Sequence, residues 1–468
     1  MEARAVEKYV EDTIAGGVWI FLGSVVVSAS GFMFWLIATL LVGVENVGIA
    51  SAAVSSSVIA STMASAGLNI AVVREVAAKG TRAFIASAVL ASVLSIVAFA
   101  LSAILAFSIG SSELSFPASM LALITVLSVP MISSLIGFGM FKEYFKAVLA
   151  GSIAKLCIGA ILAITGFKAQ AIVYGYIAYP LLASITAFLS IYRSIATGGL
   201  HVTTDDVRSV ASLSLSNYPF VFSAQLLTML SVYIFAYFVG EAVLTGTLYI
   251  SMMITIAIST VSGSLLSAAL SIGTRRGVEP FAESLRIGLA LATPLIALVL
   301  AAPRIVLLAI NTELAEGADA LRILILSLTA LAAVSAAIMK LNREKSIGSI
   351  AVIGLARLTV LVSLTPMLAK LYGIEGVSIA FLLANLIAFP IAVKHLPGSL
   401  SMLVKLWLLH LAIALVSYTI HANELLVAAL AIPASFIIVC TQIASLSELK
   451  QVLKIAISTL THGSSSSQ

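Results

Sequence analysis

The sequence predicts an all-α polytopic membrane protein with about fourteen transmembrane helices. Three observations predict it. Of 468 residues, 61% are hydrophobic and only 10% charged, a balance that soluble globular domains do not show. Apolar runs of 19 to 30 residues recur from one end of the chain to the other, each long enough to cross a hydrocarbon core of about 30 Å. Lysine and arginine fall in alternate connections between those runs, as the positive-inside rule requires of a correctly counted set of spans.

The N-terminal segment "MEARAVEKYVEDT" has four acids and no cleavable apolar core, so it is not a secretory signal. The first span, 17–41, therefore directs insertion. Spans two to six follow at 47–76, 83–109, 117–140, 145–167 and 170–192. The longest connection is 193–209, "RSIATGGLHVTTDDVRS". Spans seven to twelve lie at 210–239, 245–271, 284–309, 320–340, 347–370 and 376–394, and two more at 400–420 and 424–444. Residues 446–461, "LSELKQVLKIAISTLT", space their apolar side chains at helical intervals around Lys450 and Lys454, the pattern of an interfacial helix. The "HGSSSSQ" after it reads as a disordered tail. The domain reading is residues 1–200, 201–395, 396–445 for the last two spans, and 446–468 for the helix and tail.

With the N-terminus in the cytoplasm, inside connections hold 18 basic residues and outside connections 3, namely Lys168, Arg304 and Lys370. Both termini are then cytoplasmic, in a multi-pass protein of the plasma membrane. Four of the 25 basic residues remain, 25 minus 21: Lys155, Arg286, Arg322 and Arg357. No carboxylate accompanies them at depth, so the membrane interior is expected to be positive.

The chain also repeats itself. "GSIAKL" (151–156) matches "IGLARL" (353–358), aligning Lys155 with Arg357 at an offset of 202. Gly43 in "LLVGVENVG" matches Gly240 in "YFVGEAVLTG", and Gly80 in "VAAKG" matches Gly277 in "GTRRG", both at 197. An offset near 200 is six spans. Six is even, so the halves share one orientation and form a parallel repeat about an axis along the membrane normal. Lys155 and Arg357 become symmetry mates near mid-depth, expected to face one another across a central cavity and meet an anion there. A guanidinium at that depth costs roughly 2.5–3.5 kcal/mol on insertion scales. At ten residues from either end of its run, about 15 Å at 1.5 Å per residue, Arg357 is too deep to snorkel to the interface.

"LLVGVENVGIASAA" (40–53), "LRILILSL" (321–328) and "LYGIEGVSIAFLLANLI" (371–387) resemble O-antigen and polysaccharide flippases of the multidrug/oligosaccharidyl-lipid/polysaccharide exporter superfamily. The resemblance covers most of residues 15–395. It implies two six-helix lobes in a V, and two further C-terminal helices as in the lipid II flippases. The implied activity is transport of a polyprenyl-(pyro)phosphate-linked oligosaccharide from the cytoplasmic to the outer leaflet by alternating access, without an enzymatic step. Two departures bear on ion coupling: Thr39 stands where the family often has arginine, and Ser231 lies close to a frequent aspartate.

The substrate-binding candidates are Arg357, Lys155, Arg74, Arg286 and Arg322, with Asn217 and Tyr218 of "SNYPF" as possible glycan contacts near Pro219. Each has a plainer reading. Arg74 adjoins Glu75 and can be a cytoplasmic anchor. Arg286 follows Glu283 by three and Arg322 follows Asp319 by three, the spacing of helix-surface ion pairs. Asn217 and Tyr218 can simply open a helix. His410 reads as packed rather than titrating.

A multidrug cation antiporter is the alternative on the same fold, but it needs a buried carboxylate that the spans lack. A membrane glycosyltransferase is less favoured: Asp205 and Asp206 form an acidic pair, but no loop is large enough for a nucleotide-sugar domain. No P-loop appears, and no His/Cys cluster for a metal. The expectation is a monomer in the bilayer whose partner is an anionic lipid-linked oligosaccharide, with no cofactor and no nucleic acid.

Overall fold

The computed structural model describes residues 2–108, 112–197, 202–238, 242–310, 312–420 and 423–462, and among them there is no strand. The first span is α1 (Glu2–Val42); the second is a broken pair, α2 (Val44–Ser65) and α3 (Leu68–Lys79); spans three to six are α4 (Thr81–Ser108), α5 (Ser115–Gly137), α6 (Phe141–Ile164) and α7 (Lys168–Thr197). Then come α8 (Thr204–Phe238), α9 (Ala242–Arg276), α10 (Phe281–Ala301), the short α11 (Pro303–Leu308), α12 (Ala318–Leu326), α13 (Leu328–Glu344) and α14 (Ile347–Val393). The chain closes with α15 (Leu400–Thr419), α16 (Glu424–Gln442) and α17 (Leu446–His462).

Among the described residues eleven helices are long and apolar enough to cross a membrane, or twelve with the α2–α3 pair. α14 holds two spans, because Tyr372 (φ −130°, ψ 15°) and Gly373 (φ 59°, ψ −135°) leave helical geometry. Adding its second half and the 35-residue α8 to the twelve makes fourteen. The protein is thus an all-α polytopic membrane protein. Two spans are less continuous than run length implies. Span nine stops at Ala302 and restarts at Pro303, whose missing N–H suits a first helical position. Span ten is interrupted at Ser327.

The helices gather into two compact units. The N-terminal unit comprises residues 18–218 and 274–276; the C-terminal unit comprises 1–17, 219–273 and 277–468. α8 passes from one to the other between Tyr218 and Pro219.

In the N-terminal unit, packing rests on small residues that let backbones approach. A Cβ on Gly159 of α6 would lie 2.3 Å from the Phe34 ring, and one on Gly175 of α7 would lie 2.7 Å from it. The two glycines therefore form the floor on which Phe34 of α1 sits, among Ala50, Ala53, Leu121 and Ile172. The α2–α3 pair bends by 47°. Gly67 makes the bend, with φ +86° and only 2.4 Å between its would-be Cβ and the Ser214 carbonyl oxygen. The bend leaves the Met63 carbonyl without its next-turn donor, and the Tyr218 hydroxyl donates to it at 3.0 Å.

In the C-terminal unit, α10 packs against α13, α15 and α16, burying Ile296 and Leu300 against Leu321, Leu328, Ile413 and Val427. Polar contacts tie α15 in at two levels. His410 Nδ1 lies 3.0 Å from the Thr329 hydroxyl, and the Ser417 hydroxyl donates to the Ala301 carbonyl at 2.9 Å. The Glu424 carboxylate accepts from the Ile305 N–H at 3.1 Å, satisfying one of the donors that α11 exposes at its start.

Two aligned glycines agree with the internal repeat. Gly80 follows α3 with φ 62°, and Gly277 follows α9 with φ 72°. Gly240, the partner of Gly43 (φ 82°), lies outside the described residues, as do residues 463–468 of the tail.

Candidate functional site

Lys155 is carried by α6, one turn from Gly151 on one side and from Gly159 on the other. Those glycines bring α7 close, so the lysine stem runs along α7 instead of reaching lipid. Lys155 is 4% exposed. Its ammonium lies 5.5 Å from the ring centre of Tyr179 and 5.7 Å from that of Tyr176. A Cβ on Gly31 of α1 would come within 3.9 Å of the Nζ. Tyr176 is itself packed 5.4 Å from Phe34 and 5.6 Å from Trp35. Among the described residues no carboxylate reaches ion-pair distance of Lys155.

Arg357 is built the same way in the C-terminal unit. It stands on the first half of α14 and is 1% exposed. Gly354, just before it, lets α8 approach: a Cβ there would lie 2.8 Å from the Phe220 nitrogen. The guanidinium carbon is 5.4 Å from the Phe220 ring centre and 5.7 Å from that of Phe381, on the second half of α14. Its Nε and Nη1 are buried and meet no acceptor among the described residues. Cation–ring contacts are worth about 2 kcal/mol each when desolvated, and they leave the N–H donors unsatisfied.

The two sites obey one arithmetic. Lys155 plus 202 is Arg357, and Tyr179 plus 202 is Phe381. Each unit therefore holds a buried cation against an aromatic ring 24 residues further on, a relation the sequence reading missed. The signal was present: the offset found for the basic residues, applied to the aromatic residues of α7, selects this pair.

The other three basic candidates are neutralised. Arg74 pairs at 2.5 Å with Glu75, which is 0% exposed and also accepts from the Ser209 hydroxyl at 3.0 Å. Lys79 lies 3.4 Å from Glu75 and 2.8 Å from Asp206, completing a polar knot between α3 and the start of α8. The Lys79 ammonium and the Thr203 hydroxyl hold the Asp206 carboxyl down at about 2. Arg286 binds Glu283, the Glu448 carboxylate at 2.8 Å and the Ile443 carbonyl at 2.7 Å. The same contact with Arg286 holds the Glu448 carboxyl at about 2. Arg322 pairs with Asp319, donates to the Ser417 hydroxyl at 3.1 Å and lies 5.8 Å from the Tyr418 ring.

Asn217 is fully buried beside Gly67 and donates to the Leu213 carbonyl at 2.8 Å, while Tyr218 caps the α2 break. Both positions serve the bend of span two. The side chains of Thr39 and Ser231, where the chain departs from the resembled family, lie outside the described residues.

No protein-family profile and no curated protein matches the chain. Solved structures do. A MOP superfamily transporter from Pyrococcus furiosus aligns over 85% of this chain and 96% of its own, with a TM-score of 0.66 and 14% identity. A MATE transporter in its straight conformation aligns over 85% and 97%, with a TM-score of 0.64 and 16% identity. An outward-facing multidrug resistance MATE family transporter of the MOP superfamily aligns over 86% and 96%, with a TM-score of 0.59 and 16% identity. At such identities the likeness is one of fold alone, and the fold of this chain is similar to that of these transporters.

Proposed function

We propose that this protein is a transporter that carries an anionic, polyprenyl-phosphate-linked oligosaccharide from the cytoplasmic to the outer leaflet, with Arg357 and Lys155 binding its phosphate groups. The observation that carries the reading is the duplicated cation–aromatic pair. Each unit keeps one positive charge buried against rings, with no carboxylate beside it among the described residues. Aromatic faces hold such a charge in place without cancelling it. An arriving phosphate 4 Å from the guanidinium gains on the order of 4 kcal/mol at an effective dielectric of about 20. The idle Nε and Nη1 donors of Arg357 lie on different edges of the guanidinium, and each is open to an anionic oxygen.

Cation antiport is disfavoured by the same chemistry. It requires a carboxylate free to exchange protons or sodium for a cationic solute. Among the described residues the buried acids Glu75, Asp206 and Glu424 are each held by basic side chains or a backbone N–H, and Asp12 of α1 buries one carboxylate oxygen. For the Pyrococcus furiosus transporter, reverse polarity of the binding pocket suggests a different function; in the present chain the buried cations Lys155 and Arg357 favour an anionic solute over a cationic one.

The test is flipping by the purified protein in vesicles, using a fluorescent short-chain polyprenyl-diphosphate disaccharide and dithionite quenching from outside. Arg357→Ala and Lys155→Ala should each slow flipping strongly, and the double variant should abolish it. Wild-type rates in all three would make the two residues structural and remove the reading.

A further inference from the structure

α17 is an amphipathic helix held at one end and open along one side, and we infer that its open side docks on anionic phospholipid headgroups of the leaflet at which α16 ends. The fixed end is specific. Ser445 and Glu448 form a reciprocal capping box: the Glu448 carboxylate accepts from the Ser445 N–H at 2.6 Å, and the Ser445 hydroxyl accepts from the Glu448 N–H at 3.2 Å. Arg286 of α10 grips the same carboxylate and the Ile443 carbonyl. Val452 and Thr459 are buried, which sets the face that packs on the protein.

The opposite side is ordered by helical spacing. Leu446, Leu453 and Ile457 lie at i, i+7 and i+11, one stripe, and are 47%, 61% and 52% exposed. Lys450 and Lys454, at i+4 and i+8, are exposed and line one edge of that stripe. The one acid of α17, Glu448, belongs to the Arg286 knot, so the open side carries lysines and no carboxylate. Its height is set by the chain: only Ile443–Ser445 separate it from the membrane span α16, a reach of about 10 Å at most. An apolar stripe edged by two lysines at that level fits the boundary between acyl chains and negative headgroups.

The full-length protein, placed in nanodiscs of phosphatidylcholine alone or mixed with phosphatidylglycerol, tests this by hydrogen exchange over residues 446–462. Exchange should be slower in the anionic discs, by about fivefold per lysine, and the gap should narrow as salt is added. Lys450→Gln with Lys454→Gln should erase the gap, while Lys450→Arg with Lys454→Arg should keep it. Equal exchange in the two discs, or a gap that survives in the glutamine variant, overturns the inference.

Discussion

The Lys155 ammonium stands 5.5 Å from the ring centre of Tyr179, on the neighbouring helix of the same unit. Arg357 and Phe381, 202 residues later, stand 5.7 Å apart in the other unit. A duplication that keeps both the cation and the ring has kept a pair. Isolated basic residues are too costly at membrane depth to persist without such support.

The ring should matter as well as the charge. Phe381→Leu keeps the apolar volume but removes the negative ring face, so it should weaken substrate binding by a few-fold while protein levels stay normal. Arg357→Lys should retain part of the flipping rate, because charge is kept but the bidentate fork is lost. Rates of the fluorescent lipid in vesicles check both, and an Arg357→Lys variant as dead as Arg357→Ala would contradict the electrostatic reading.

Arg357 should cost the substrate-free protein stability. Replacing a buried charge that lacks acceptors with an apolar side chain of similar length is often neutral or stabilising, by about 1–4 kcal/mol. Arg357→Met should therefore melt at least as high as wild type, and by several degrees higher at the upper end, while losing transport. Melting in detergent measures this. A clear fall in melting temperature would make Arg357 a structural hub.

Phe34 and its glycine floor predict a specific rescue. Gly159→Ala places a methyl 2.3 Å from the Phe34 ring and should destabilise the N-terminal unit by about 1–3 kcal/mol. Adding Phe34→Leu should recover much of that loss. Thermal melts of the two single variants and the double variant report the coupling, and simple additivity would show that the two positions are independent.

Tyr218→Phe separates two roles. Loss of the hydrogen bond to the Met63 carbonyl should cost about 0.5–1.5 kcal/mol of stability. Flipping per folded molecule should be unchanged, since the hydroxyl is engaged at the α2–α3 bend. A normal melting temperature with reduced flipping would restore Tyr218 as a glycan contact.

The Lys79–Asp206 pair predicts a pH window. Asp206 is held at about 2, below its ordinary 3.8, so its contribution is complete above the ordinary value and disappears as pH falls through about 2. Asp206→Asn should melt below wild type near neutral pH, and the two curves should converge as pH falls through that window. A difference that stays constant down to pH 2 would mean that the carboxylate charge is not what stabilises the knot.

Run length and the positive-inside bias were enough to read fourteen spans, because a helix in hydrocarbon must satisfy its backbone internally and so announces itself locally. The buried cations were also legible, since a charge inside an apolar run is an anomaly wherever the chain folds. Arg357 and Lys155 stood out for that reason. What neutralises the other cations was only half legible. Asp319 and Glu283 lie one turn from Arg322 and Arg286, but Ser417 and Glu448 come from helices 95 and 162 residues away. The break at Pro303, the bend at Gly67 and the capping role of Tyr218 likewise depend on neighbours that only packing supplies. The sequence by itself determined the all-helical, many-span class and the burial of Lys155, Arg322 and Arg357, whereas Arg286 proves only half-buried and the buried Glu75 was not foreseen. Tertiary structure decided which of those charges remain uncancelled, because pairing depends on distances between helices that no local pattern encodes.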